Sequence, residues 1–217
     1  MIQAVIFDMD GLMFDTERIG LKVWQEIAQE WHQPRLNDLI WQCLGTNDSF
    51  RSNLFANEFD ETFDYDLFCE TEMSRRIERT LQSVPTKEGL YELLDYLKKH
   101  AIKMAVATSS SMETAEKILK AAKVFDYFDV IVTGNMVEHS KPSPDIFLLA
   151  CKKLDANITL TLGLEDSING IRALHSAGIR AVMIPDLVQP DEETGRLYYK
   201  KLDNLSQVIE IIDGENL

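Results

Sequence analysis

Positive charge is scarce in this sequence. Across 217 residues, 22 Lys and Arg stand against 36 Asp and Glu, a formal net charge of −14. That balance argues against a nucleic-acid partner, whose phosphates must be neutralised by Lys and Arg, and against docking to an anionic membrane surface. It leaves room for a small phosphate ester, because one metal ion and one lysine can reverse the potential locally. Cysteine is also sparse. Cys43, Cys69 and Cys151 are scattered and show no Cys-x-x-Cys spacing. This excludes a disulfide framework and a zinc site, and leaves buried or half-buried thiols as the expectation. His32, His100, His139 and His175 have no metal-ligand spacing and no evident nucleophile partner; only His139 draws notice, for its nearness to Lys141. Long apolar runs are absent. Residues 4–7 are apolar but stop at Asp8, too short for a membrane span or the apolar region of a leader. A soluble, cytoplasmic protein is expected. There is no P-loop, no Gly-x-Ser-x-Gly, no dinucleotide fingerprint, no internal repeat and no low-complexity tract.

What remains is an ordinary globular composition, 45% hydrophobic and 27% charged. The length suits one Rossmann-like domain with an insertion, or two small domains. Five short apolar runs, 4–7, 104–107, 130–132, 160–164 and 181–184, read as strands buried on both faces of a parallel sheet. Helical spacing lies between most of them. Leu90, Leu93, Leu94 and Leu97 follow i, i+3, i+4, i+7, as do Ala115, Ile118, Leu119 and Ala122. Helices are also expected over 144–154 and 168–174, the latter with Gly178 placed to cap its end. Alternating strand and helix predicts an α/β fold with right-handed crossovers. The region from about Thr16 to about Leu81 has no buried strand. Trp24, Ile27, Ala28 and Trp31 share one helical face, and more helix is expected around 36–44, 48–57 and 66–80. This predicts an all-helical insertion after the first strand, with Pro85 and the Glu88-Gly89 step marking the return. The acidic stretch 55–66 reads as a solvated face of the insertion.

The informative feature is what ends each apolar run. In an open α/β sheet, ligands bind outside the carboxyl ends of the strands. The first run ends in Asp8-Met9-Asp10-Gly11, the second in Thr108-Ser109-Ser110-Ser111, and the fourth in Glu165-Asp166-Ser167; a connection after the third carries Lys141-Pro142-Ser143-Pro144-Asp145. Asp8 and Asp10, two apart in extended chain, would point to one side and repel unless a cation lies between them. Solvated acids at a strand exit are the plain alternative. An EF-hand loop is disfavoured, since Gly11 comes too early and Leu12 stands where an oxygen ligand is needed. Glu165-Asp166 could simply start a helix and complement its dipole. Beside Asp8 and Asp10 it would complete an oxygen-rich cage, and hard oxygen donors without His or Cys favour Mg²⁺. Thr108, Ser109 and Ser110 fit an anion site at a helix start, and equally well a Ser-rich N-cap. Lys141 offers the compact positive charge a phosphate needs, although a lone lysine is ordinarily a surface charge.

Phe7-Asp8-Met9-Asp10-Gly11, Ala107-Thr108-Ser109, Lys141-Pro142 and Glu165-Asp166-Ser167 resemble the four motifs of the haloacid dehalogenase superfamily, in the right order and at strand ends. The insertion resembles the small α-helical cap of the β-phosphoglucomutase-like subgroup and its phosphatase relatives. Asp15-Thr16 matches that subgroup where the chain enters the cap. The resemblance implies an α/β fold with a Rossmann-like parallel sheet flanked by helices and a helical cap domain inserted after the first strand. The expected boundaries are 1–15 and 82–217 for the core and 16–81 for the cap. It further implies that Asp8 attacks phosphorus to form an aspartyl-phosphate, and that Asp10 protonates the leaving alcohol and then activates water. Thr108, Ser109 and Lys141 would hold the phosphoryl oxygens. Mg²⁺ would bind Asp8, the Asp10 backbone carbonyl, Asp166 and Glu165. The cap would open and close, and the expected assembly is a monomer or weak homo-oligomer.

Two departures bear on the reaction. β-Phosphoglucomutase carries a hinge-helix histidine where this chain has Gly20, and a cap arginine whose nearest counterparts here are Asn47, Asp48 and Arg51. The missing histidine favours a phosphomonoester hydrolase, acting on a small metabolite such as a sugar phosphate, over a sugar phosphomutase. Asn47, Asp48 and Arg51 become the cap candidates for substrate choice. A non-hydrolytic phospho-Asp binding module is the reading from another class. A receiver-like module needs about half this length, no helical insertion, and its Asp after a later strand.

Overall fold

The computed structural model describes residues 1–46 and 48–216. The chain forms two compact units: Met1–Asp15 with Val84–Leu217, and Thr16–Ser83.

The first unit is built on six parallel strands: β1 (Ala4–Phe7), β2 (Lys103–Thr108), β3 (Val130–Thr133), β4 (Thr161–Glu165), β5 (Arg180–Met183) and β6 (Lys200–Lys201). Their spatial order is β3-β2-β1-β4-β5-β6. The order reverses between β1 and β4, which makes the gap at their carboxyl ends the topological switch point where α/β sheets bind ligands. The register there is fixed: Phe7 pairs with Val106 on one side and Leu164 on the other. The residues just past β1 are therefore flanked by the ends of β2 and β4.

Both faces of the sheet are buried, which is why its strands read as continuous apolar runs. On one face Ala4, Ile6, Ala105, Ala107, Val132, Ala181 and Met183 pack with Phe147, Ile171 and Leu174 from α7 (Asp145–Leu154) and α8 (Ile168–Ser176). The alternate residues Val5, Phe7, Met104, Val106, Leu162, Leu164 and Val182 are buried too. Helices α5 (Leu90–Lys99), α6 (Met112–Ala121) and α9 (Val208–Asn216) complete this unit. The leucines at 90, 93, 94 and 97 are buried, as their spacing demands.

Strand β6 and helix α9 lie outside the sequence expectations. Strand β6 is two exposed lysines on the sheet edge, held by backbone pairing to β5, so it carries no apolar signal.

The second unit holds α1 (Thr16–Glu30), α2 (Leu36–Cys43), α3 (Asp48–Glu58) and α4 (Tyr65–Gln82). Its core is aromatic. Phe68 and Phe55 lie 4.9 and 5.9 Å from the Trp24 ring, and Phe59 stacks on Phe63 at 4.1 Å. The 55–66 stretch is thus two-sided rather than simply a solvated face. Phe55, Phe59 and Phe63 recur every four residues and turn inward, while Asp60, Glu61 and Asp64 stay exposed. Among the described residues, no helix is long and apolar enough to cross a membrane.

Candidate active site

Strand β1 ends at Phe7, and the Asp8 amide still donates to the Leu164 carbonyl at 3.0 Å. This last ladder bond holds Asp8 at the mouth of the switch point. The chain then turns sharply. Gly11 adopts φ +83°, and a Cβ there would lie 2.2 Å from Oδ2 of Asp166. Only glycine meets both conditions, so the loop after β1 can close onto the residue after β4. Gly11 N donates to the Phe14 carbonyl and Met13 N to the Met9 carbonyl, which ties the loop to itself.

Lys141 is buried, not a surface charge. Its Nζ donates to Asp8 Oδ1 at 2.5 Å, to Glu165 Oε1 at 2.6 Å and to the Ala107 carbonyl at 3.1 Å. All three ammonium protons are thereby placed. Phe147 lies beneath, with its ring centroid 4.9 Å from Nζ, a cation–π contact. The Lys141–Pro142 peptide is cis.

Glu165 ends β4 and is fully buried. While Oε1 accepts from Lys141, Oε2 accepts from the amides of Asp166 and Ser167 and from the Ser167 hydroxyl, at 2.9–3.0 Å. Ser167 in turn caps α8 by accepting from Gly170 N at 3.0 Å. Gly170 has to be small, because a Cβ there would lie 1.8 Å from Oε1 of Glu165.

Charge is unevenly matched here. Asp8, Glu165 and Asp166 are all buried and bring carboxylate oxygens within 4.8 Å of one another. Burial, opposed by Lys141 and helped by Glu165 and Asp10, raises the Asp8 carboxyl from 3.8 to about 8. Burial by itself would lower the Lys141 ammonium, but Asp8 and Glu165 outweigh it and hold it well above its ordinary 10.5. One ammonium facing three carboxylates leaves a balance that a divalent cation would complete. The donors are all hard oxygens, as Mg²⁺ prefers, so the residues fit that ion.

Asp10 is half-buried, and its side chain is not one of that cluster of three. Its Oδ2 accepts from the Ser110 hydroxyl at 2.8 Å. Thr108, buried at the end of β2, accepts from Ser110 N at 3.0 Å. Ser109 is exposed, with its backbone against Gly134. Sequence reasoning singled out Thr108 and Ser109 more readily than Ser110, which is the serine whose side chain reaches another acid.

The cap candidates belong to the second unit. Asn47 lies outside the described residues, and Asp48 opens α3. Arg51 sets its guanidinium 5.8 Å from the centroid of the Trp24 ring. Gly20, on α1, faces α4: a Cβ there would lie 3.1 Å from Arg76 Cδ and 3.5 Å from Glu72 Oε1. His139, for which no nucleophile partner is expected, contacts the Asp145 carboxylate at 3.1 Å, and Asp145 also accepts from Ser143 at 2.6 Å.

A family model described as haloacid dehalogenase-like hydrolase matches residues 5–184. The chain belongs to that family. A Thermotoga maritima protein named phosphorylated carbohydrates phosphatase is 31% identical over 184 residues, covering 83% of this chain and 84% of that protein. The β-phosphoglucomutase of Bacillus subtilis is 33% identical over 190 residues, covering 83% and 82%. The structure of CbbY from Rhodobacter sphaeroides in complex with phosphate is similar to this one with a TM-score of 0.78 and 26% identity, over 96% of each chain. This protein is accordingly an enzyme, a hydrolase of the haloacid dehalogenase-like type with phosphatases among its relatives. It has the parallel α/β fold of that family.

Proposed function

We propose that this hydrolase removes phosphate from a small phosphorylated metabolite, a sugar phosphate being the leading class, by way of an aspartyl-phosphate on Asp8. The supporting observation is the buried constellation of Asp8, Lys141, Glu165 and Asp166 at the β1–β4 switch point. A carboxylate that must attack an anionic ester needs positive charge at contact distance, and Nζ of Lys141 lies 2.5 Å from Asp8. Asp8, Asp166, the Asp10 carbonyl and Glu165 would hold Mg²⁺, which when bound supplies further positive charge to the phosphoryl oxygens.

In this mechanism Asp8 forms a bond to phosphorus as the ester P–O bond breaks. Asp10 gives its proton to the departing alkoxide. It then takes a proton from the water that cleaves the aspartyl-phosphate, which returns both acids to their starting states. Thr108 and Ser109 bind the phosphoryl oxygens from the β2 end, and Lys141, held against Asp8, offers them its positive charge. Glu165, fixed by Lys141, two amides and a hydroxyl, keeps the lysine in register with Asp8. The helical unit serves as the cap, with Asn47, Asp48 and Arg51 as its candidates for substrate choice.

The β-phosphoglucomutase relative keeps a second reading alive: return of the phosphoryl group to a sugar. Gly20 favours hydrolysis. The hinge-helix histidine that the β-phosphoglucomutase resemblance implies is absent, and the space beside Gly20 is taken by Arg76 and Glu72. The test is phosphate release from sugar phosphates, phosphoglycolate and nucleotides with Mg²⁺, alongside Asp8→Asn and a chelated sample. Release that disappears in both controls supports the hydrolase. Isomerised sugar phosphate without net release, stimulated by a bisphosphorylated sugar, would replace it with the mutase.

A further inference from the structure

The residue between the two halves of the chemistry is Ser110. Its amide donates to the Thr108 hydroxyl oxygen at 3.0 Å, and its own hydroxyl donates to Asp10 Oδ2 at 2.8 Å. Ser110 lies just past β2 and just before Ser111, the N-cap of α6, whose Oγ accepts from Thr114 N. Its backbone is therefore held by a strand end on one side and a capped helix on the other. Asp10 sits on the loop after β1, closed by the Gly11–Phe14 and Met13–Met9 backbone bonds. The Ser110–Asp10 contact is a side-chain tie between these two loops, spanning 100 residues of sequence.

We infer that Ser110 is a positioning residue that sets the orientation of the Asp10 carboxyl for proton transfer to the leaving group. This inference rests on the acid–base role proposed for Asp10 above. A carboxyl on a rotatable Cβ–Cγ bond has no fixed direction of its own. Anchoring one oxygen to a hydroxyl on a rigid strand end fixes the plane of the group, and general-acid catalysis depends on that geometry before anything else. The same residue orders Thr108: by donating to its Oγ1, the Ser110 amide leaves the threonine proton to be directed elsewhere. Ser110 thus couples the hydroxyl that meets the phosphoryl group to the acid that meets the leaving oxygen. The hydroxyl rotor can also follow Asp10 through both protonation states, donating to the carboxylate and accepting from the acid.

The experiment separates this role from phosphate binding and from fold. kcat/KM reports the first phosphoryl transfer, so it is measured with an alkyl phosphate, whose leaving group needs a proton, and with p-nitrophenyl phosphate, whose leaving group does not. Ser110→Ala is expected to lower kcat/KM for the alkyl ester by about tenfold or more while changing the aryl ester by less than about threefold, a fraction of the ~10²–10⁴-fold that acid–base assistance supplies. Ser110→Thr, which keeps the hydroxyl, is expected to restore the alkyl activity. Equal losses on both esters would overturn the inference, as would no loss on either or an alkyl loss that threonine does not rescue. Asp10→Asn is run in parallel. A selective alkyl loss there without one in Ser110→Ala removes only the inference; no selective loss in Asp10→Asn removes the acid–base reading with it.

Discussion

Two ion pairs in this molecule have the same length and opposite meaning. In the helical unit, Arg79 meets Glu26 at 2.5 Å; in the sheet unit, Lys141 meets Asp8 at 2.5 Å. The first pair is solvated, with side chains 38% and 43% exposed, and the second is enclosed, at 8% and 10%. Hydrogen bonding to Arg79 lowers the Glu26 carboxyl below its ordinary range. Burial raises Asp8 despite an equally close cation. Distance alone therefore says little about an ion pair. Water has already stabilised the exposed charges, so the contact adds little. Without water, the buried charges depend entirely on their few protein neighbours, and removal of any one is felt by all.

The largest effect should come from Asp8→Asn. Phosphate release is expected to fall on the order of 10⁴-fold or more, as for loss of a nucleophile, while the variant stays folded because shape is kept. Residual turnover near wild type would place Asp8 with the exposed pairs. Next is Lys141→Met, which leaves Asp8 and Glu165 facing each other uncompensated. Urea denaturation is expected to show a loss of about 3–5 kcal/mol, together with loss of activity. Phe55→Ala tests the helical unit by its own currency, apolar packing. Its ring lies 4.8–5.9 Å from those of Trp24, Phe59, Phe63, Tyr65 and Phe68, and truncation should cost about 3–5 kcal/mol, read as faster amide exchange in α1–α4.

A pH titration of the chelated protein sharpens the contrast further. The folded carboxyl of Asp8 is raised from 3.8 to about 8, so its contribution to stability is full below the lower value and lost as pH rises through the upper one. The melting temperature should fall between pH 5 and 8, and Asp8→Asn should flatten that slope. Glu26 is depressed below 4.5, so its contribution has the reverse sign: present above that pH and lost as pH falls. The smallest effect should be that of Arg79→Met. About 0–1 kcal/mol is expected, and activity should be untouched. A loss as large as that of Lys141→Met would erase the distinction between the two regions.

Much of the fold was legible because its signals are local. Strands buried on both faces produce short apolar runs, and α5 and α6 carry their spacing openly. What escaped notice has little of its own to show. The β6 lysines are strand only because β5 offers them backbone partners. The Phe55–Phe59–Phe63 periodicity was masked by the acids around it, since charge dominates the average while every fourth residue turns inward. At the site, the motifs revealed which residues follow each strand, but not how deep they sit. The motif marks Lys141 for the phosphoryl group, but its burial and its three hydrogen bonds are visible only in the fold. Among three consecutive serines after Thr108, nothing in sequence tells Ser110, tied to Asp10, from the exposed Ser109 or the capping Ser111.

By itself, then, the sequence determined the kind of fold, the order of its elements and the acids, hydroxyls and lysine waiting at the strand ends, because hydrophobic period and strand-end chemistry are written within a few residues. Only the tertiary structure decided that β1 lies between β2 and β4, which sets Asp8 beside Glu165 and Lys141. It also decided that the gathered charges are buried, and so that Asp8 is raised where Glu26 is lowered. Solvation is a property of everything packed around a group, and that packing is assembled from residues a hundred or more positions apart.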